Sequence, residues 1–403
     1  MLSTFFIFLK LGLTSFGGPV AHIGYFRQEF VEKRQWLSDA SYAELVALCQ
    51  FLPGPASSQV GIALGYFRQG LAGSLLAWAG FTLPSALALM AAALSLQQFS
   101  AVIPSSVLVA LKAVALVVVA QALIAMARTL CQGRPKTAIA LAAAALSWWQ
   151  PDLMGQLLAM GLAGVLGYSF LKPPTEPKPL GPLRVPSRQL GVMAFAGLVL
   201  CLFGLPLLER ALSLTGTHNG FWATEINLFF RTGSLVFGGG HVVLPLLQSA
   251  VVGPGYVSNE VFLSGYGLAQ AVPGPLFSFA AFLGASMNPS PTGWAGGMIC
   301  LGAVFAPSFF LVMGALPFWE KLRRYPAAQT ALAGINAGVV GLLGAVLVKQ
   351  THAALSTHLG VLPWLALLAV LLFKFKWPAW LLVLGAIVGG LIQAQVQTQG
   401  LLS

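Results

Sequence analysis

Gln50-Phe51-Leu52-Pro53-Gly54-Pro55 decides how this chain is read, because it returns 220 positions later as Gln270-Ala271-Val272-Pro273-Gly274-Pro275. Proline inside a helix removes a backbone hydrogen bond and collides with the preceding turn. A Pro-Gly-Pro within an apolar segment therefore ends one half-helix and starts another, with the glycine absorbing the bend. Further features recur in the same order: Phe16-Gly17-Gly18-Pro19 with Phe237-Gly238-Gly239-Gly240, Trp36-Leu37-Ser38-Asp39 with Tyr256-Val257-Ser258-Asn259, and Leu83-Pro84-Ser85 with Ala306-Pro307-Ser308. All the offsets lie between 220 and 223, so the chain is an internal duplication.

Of 403 residues, 57% are hydrophobic and only 8% charged, against about 25% charged in a soluble domain. So few polar groups cannot cover a water-soluble surface, and the composition is that of an all-α polytopic membrane protein. Apolar segments fall at roughly 4–24, 42–66, 71–97, 104–127, 137–150, 154–171, 190–208, 222–246, 260–286, 293–318, 327–348, 359–373 and 377–396, about thirteen transmembrane candidates, of which 137–150 is short for a full crossing. The stretch 172–189 holds six prolines and four basic residues, which forbids a helix and marks a basic tether. It separates a first repeat, 1–171, from 190–403, which holds an extra helix and the second repeat.

The net charge of +11 would suggest nucleic acid in a soluble protein. Here the basic residues sit mostly in loops, as the positive-inside bias requires, so no nucleic-acid partner is expected. With thirteen crossings, the even-numbered loops carry thirteen basic residues against five in the odd ones, which predicts a cytoplasmic N-terminus and a periplasmic C-terminus. If the second and ninth segments instead dip in and return, the bias is only slightly weaker. The residues from Met1 to Phe8 have no basic n-region and read as the start of the first membrane helix. Cys49, Cys131, Cys201 and Cys300 are far apart and show no metal-ligand spacing, so neither metal nor cofactor is expected.

Seven segments separate equivalent positions, and an odd number inverts the second copy relative to the first. Inverted repeats with Gly/Pro-broken segments at matching places point to a secondary transporter with a midplane site. Beyond the Pro-Gly-Pro breaks stand Ser57 and Ser58 in one copy and Ser278 in the other. Free backbone N–H groups, a positive helix end and hydroxyls make an anion cradle. Gln50 and Gln270 lie three residues before each first proline, within reach of the same breaks. Gly17, Gly18, Gly238 and Gly239 open the other pair, followed by His22 and His241. The competing structural reading is that small residues simply let membrane helices pack closely.

Lys10, Lys112 and Arg231 fall within predicted spans, and Lys10 and Arg231 occupy equivalent repeat positions. A charge at membrane depth is a functional-site candidate, and a cation pair suits a dianion. The alternative is snorkelling to the headgroups. Glu44 is a proton-coupling candidate, with Glu225 and Glu260 as weaker ones. The loop from Arg27 to Asp39, mixed in charge, reads as a solvated amphipathic stretch.

Phe-Gly-Gly with a nearby His, Trp-Leu-Ser and Gln-x-x-Pro-Gly-Pro, all duplicated, resemble the chromate ion transporter family in its long-chain, two-domain branch. The resemblance implies a bacterial inner-membrane carrier with antiparallel halves that exports chromate and confers resistance, with sulfate, a similar tetrahedral dianion, as natural competitor. Carried over by position, the motif residues are Gly17, Gly18, Pro19, Pro53, Gly54, Pro55, Gly238, Gly239, Pro273, Gly274 and Pro275. Gly240 stands where the first copy has Pro19, and Val272 where it has Leu52. The expected partners are a chromate- or sulfate-like dianion and membrane lipids, with pairing into a homodimer left open. An enzyme acting on lipid phosphate would want clustered acids, yet Asp39 and Asp152 are the only aspartates and no nucleophile–base pattern is present.

Overall fold

The computed structural model describes residues 2–98, 104–150, 153–172, 185–214, 221–236, 243–322, 325–357 and 360–400, and among these all regular structure is helical. The first repeat runs α1 (Leu2–Thr14), α2 (Gly18–Phe26), α3 (Asp39–Phe51), α4 (Ala56–Gln98), α5 (Ser105–Leu130), α6 (Arg134–Trp149) and α7 (Leu153–Phe170). Then come α8 (Arg188–Leu214), α9 (Phe221–Leu235), α10 (Val243–Val251), α11 (Asn259–Ala269), α12 (Phe279–Ser286), α13 (Gly293–Ala315), the short α14 (Trp319–Leu322), α15 (Pro326–Thr357), α16 (Val361–Ala369) and α17 (Ala379–Gly400). Six of the described helices are long and apolar enough to cross a membrane: those at 56–98, 105–130, 188–213, 293–318, 326–356 and 379–397.

Four of the expected segments turn out to be broken. The stretches 4–24, 42–66, 222–246 and 260–286 each hold two helices. At 1.5 Å per residue, the thirteen residues of α1 or α3 cover about 20 Å, two thirds of a bilayer core. Chemistry at the breaks explains them. Gly17 stands at φ +99° and Gly18 at +76°, with Pro19 in the first turn of α2. Gly54 and Gly274 stand at +113° and +103°. Equivalent serines begin the next elements: Ser38 accepts from the Ser41 N–H, and Ser258 from the Val261 N–H, each at 3.2 Å.

α4 is two helices, 56–68 and 71–98, meeting at Gln69 and Gly70. They fold back as a hairpin so tight that a Cβ on Gly65 would overlap the Gly73 carbonyl. The second repeat makes the same hairpin from α12 and α13, across Gly284 and Gly296. Pro84 and Pro307 sit inside the return helices.

The repeats interlock. α1 packs on α4 and α9 on α13, each within its own repeat, while α15 packs on α6 and α7 and α5 packs on α16 and α17, each across to the other. α8 has no repeat counterpart and presents Met193, Leu200, Phe203 and Leu207 outward, 68–72% exposed, as a lipid-facing helix does. A π-helix, Arg27–Lys33, follows α2 directly, laced by ion pairs of Arg27 with Glu32 and Asp39 and of Arg34 with Glu29. The hydrogen bond that Arg27 donates to Asp39, together with the Asp39 charge, raises the guanidinium further above its ordinary value. The tether lies mostly outside the described residues, as do Phe237, Gly238, Gly239, Gly240 and His241.

Candidate functional site

Each Pro-Gly-Pro break is seated in the other repeat. The Gly54 N–H donates to the Val236 carbonyl at 2.5 Å, and the Gly274 N–H donates to the Ser15 carbonyl at 3.0 Å. Val236 and Ser15 are equivalent residues, each just ahead of its own Phe-Gly-Gly. The surroundings repeat the exchange. A Cβ on Gly54 would lie 3.1 Å from Ser308 Oγ, and one on Gly274 would lie 3.0 Å from Ser85 Oγ. Ser85 and Ser308 close the two Pro-Ser motifs, so three kinds of duplicated feature meet twice.

His22 ties the two breaks together. It is fully buried, with Nε2 3.2 Å from the Ser15 carbonyl and Nδ1 3.3 Å from Ser57 Oγ. Because a carbonyl can only accept, Nε2 carries a proton, and in the neutral ring Nδ1 then accepts from the Ser57 hydroxyl. A continuous line of bonds thus runs from Ser57, through His22 and the Ser15 carbonyl, to the Gly274 N–H. The Phe81 ring backs the imidazole edge-on at 5.1 Å. His22→Ala leaves a buried carbonyl with one bond fewer and should cost about 1–3 kcal/mol, read as a lower melting temperature in detergent. His22→Gln should recover part of the loss.

The two half-helix starts are not alike. Ala56, Ser57 and Ser58 present the first amides of α4, and Gln59 reaches back from Nε2 to the Pro53 carbonyl at 2.6 Å. The hydroxyls of Ser58, Ser15 and Ser308 are buried and have no hydrogen-bond partner. A buried polar group without a partner calls for an explanation, and a bound ligand supplies one. In the second repeat the matching residues are Phe277, Ser278 and Phe279, all buried. Its helix begins as a 3₁₀ turn, and Ser278 Oγ donates back to the Pro275 carbonyl at 2.6 Å. The polar start belongs to the first repeat. Gln270 Nε2 is buried without a partner, whereas Gln50 is exposed beside the end of α3.

The two equivalent cations part company. Lys10 shares the outward stripe of α1 with Leu2, Phe6 and Leu13, all more than half exposed, a setting from which a lysine side chain can snorkel. Arg231 lines a cavity of about 890 Å³ together with Lys349, Gln156, Gln248, Asn259 and Gln350. Among the described residues, none that lines it is acidic. Gln248 Nε2 donates to Asn259 Oδ1 at 2.9 Å, and Asn259 Nδ2 donates to Gln350 Oε1 at 3.2 Å. Arg231 stands five residues before Val236, about 7.5 Å along a helix from the crossing of the breaks. Lys112 is engaged elsewhere, 3.7 Å from Glu260, and Glu44 Oε2 accepts from Trp319 Nε1 at 3.3 Å.

Sequence reasoning did not assign Ser15, Gln59, Ser85, Ser308 or the cavity amides. Ser85 and Ser308 carried the one usable signal, since both belong to the repeated Pro-Ser motif.

Residues 2–168 and 225–391 each match the chromate transporter family model. A chromate transport protein of Cupriavidus metallidurans is 30% identical over 378 residues, covering 92% of this chain and 87% of the relative. A probable chromate transport protein of Synechococcus elongatus is 29% identical over 392 residues, 96% of this chain and 93% of the relative. A chromate transport protein of Pseudomonas aeruginosa is 29% identical over 346 residues, 84% of this chain and 78% of the relative. No solved structure matches. With both repeats matched and apolar helices throughout, the chain is a multi-pass membrane protein that belongs to the chromate transporter family.

Proposed function

We propose that this protein is a secondary active transporter that moves the dianion chromate outward across the bacterial inner membrane, with the oxyanion resting where the two breaks meet. The line of bonds from Ser57 through His22 and Ser15 to Gly274 carries this reading, because it joins the breaks of both repeats into one buried locus. The amides of Ser57 and Ser58 and the hydroxyls of Ser58 and Ser308 are its donors, and Pro53, Gly54, Pro55, Pro273, Gly274 and Pro275 shape the approach. Donors without carboxylates suit an oxyanion and give a metal cation nothing to bind. Arg231 and Lys349 make the adjoining cavity a positive vestibule for the same guest.

In this reading the repeats are inverted, with about thirteen segments, a cytoplasmic N-terminus and a periplasmic C-terminus. The reciprocal pairs Gly54–Val236 and Gly274–Ser15 support a pseudo-twofold relation, since such an axis exchanges equivalent partners. The proton gradient or the membrane potential drives transport, and sulfate competes. Chromate and sulfate contents of cells with and without expression test it. Lower chromate at unchanged sulfate supports export; raised sulfate identifies an uptake carrier instead; no change in either sinks the proposal.

A further inference from the structure

Resting on the transporter reading, we infer that Glu225 is the proton carrier that couples transport to the proton gradient. Glu225 lies on α9 and is fully buried, and neither carboxyl oxygen has a hydrogen-bond partner. Among the described residues no cation stands within ion-pair distance of it. The Cys300 thiol of α13 is near enough to feel the charge of Glu225. α10 brings no titratable side chain, and α13 brings Cys300 only. α8 brings Arg188, Cys201, Glu209 and Arg210, and Glu209 accepts from Asn227 Nδ2. Tyr256 meets the start of α9 at the Phe221 ring. On its own helix, Arg231 lines the cavity instead.

A carboxylate taken out of water with no partner is too costly to keep charged, so it is buried as the neutral acid. Membrane-buried acids of this kind serve as proton relays. The repeat sharpens the point: the equivalent position in the first copy is Thr4, also buried and also without a partner. The slot exists in both halves, and only the second holds a group that can bind and release a proton. α9 is also the half-helix whose end, Val236, is held by Gly54. A change at the crossing of the breaks therefore reaches Glu225 along one rigid element. In this state the carboxyl is COOH; when α9 opens to water it becomes COO⁻ and one H⁺ leaves.

Glu225→Gln fixes the neutral form. In proteoliposomes it should lose at least tenfold of the chromate flux driven by a pH gradient, while chromate–chromate exchange stays within twofold of the parent. Glu44→Gln, whose carboxylate already has Trp319, should keep the gradient-driven flux. Undiminished gradient drive in Glu225→Gln would overturn the inference and leave the transporter reading standing. A parent chain that moves neither chromate nor sulfate would overturn both. Should Glu225→Gln lose exchange as well, Glu225→Asp decides: flux that again follows the gradient supports the role, and flux indifferent to it, or absent, contradicts it.

Discussion

Gly274→Ala and Gly54→Ala should each abolish chromate flux, and Gly274→Ala should also lower the melting temperature more. Both glycines stand at positive φ, where any other residue is strained, at a cost of about 1–3 kcal/mol. The collisions then differ. At Gly274 a Cβ would press within 3.2 Å of the Phe81 carbonyl, which is backbone and cannot step aside. At Gly54 it would meet Gln59 Nε2 at 2.6 Å and Ser308 Oγ at 3.1 Å, ends of side chains that can turn away. In both, the amide that reaches into the other repeat is displaced, so the meeting of the breaks is lost with it. Gly70→Ala is the control, since φ there is +64° but nothing lies within 4 Å. It should pay the backbone strain alone and keep its flux. Flux and thermal unfolding of the three purified variants decide the order.

Arg231→Gln should weaken apparent chromate affinity at least tenfold, about 1.4 kcal/mol, whereas Lys10→Gln should leave it within twofold. Equivalent repeat positions would suggest equal roles. Their surroundings do not, because Arg231 faces the cavity beside Lys349 and Lys10 faces outward among leucines and Phe6. Lys349 partly offsets the loss of Arg231, so the double change to glutamine should exceed either alone. Concentration dependence of uptake into vesicles measures all four variants, and equal losses at Arg231 and Lys10 would contradict the placement.

Much of the fold was legible because proline and glycine act locally. The breaks at Pro53-Gly54-Pro55 and Pro273-Gly274-Pro275, and the boundary between 42–66 and 71–97, follow from backbone chemistry that any neighbourhood leaves intact. What meets each break was not legible. That Gly54 bonds Val236 and Gly274 bonds Ser15 is a pairing across more than 180 residues, which no local pattern encodes. Helix facing was hidden for the same reason. Gln50 reads as a break-lining residue by spacing, but Leu45, Leu48 and Cys49 take the buried side of α3 and leave it outside. Ser278 reads as the counterpart of the first copy's serines, yet its chain neighbours are the buried Phe277 and Phe279 and its hydroxyl turns to Pro275. A duplication records where equivalent residues stand, and later substitution decides which copy keeps the polar donors.

The most direct test is a structure determined with bound selenate, a tetrahedral dianion whose selenium can be located by anomalous scattering. The account predicts a peak between the α4 start at Ser58 and the Ser308 hydroxyl, beside the Gly54–Val236 bond. A peak confined to the cavity at Lys349, or none near either break at saturating selenate, would contradict it.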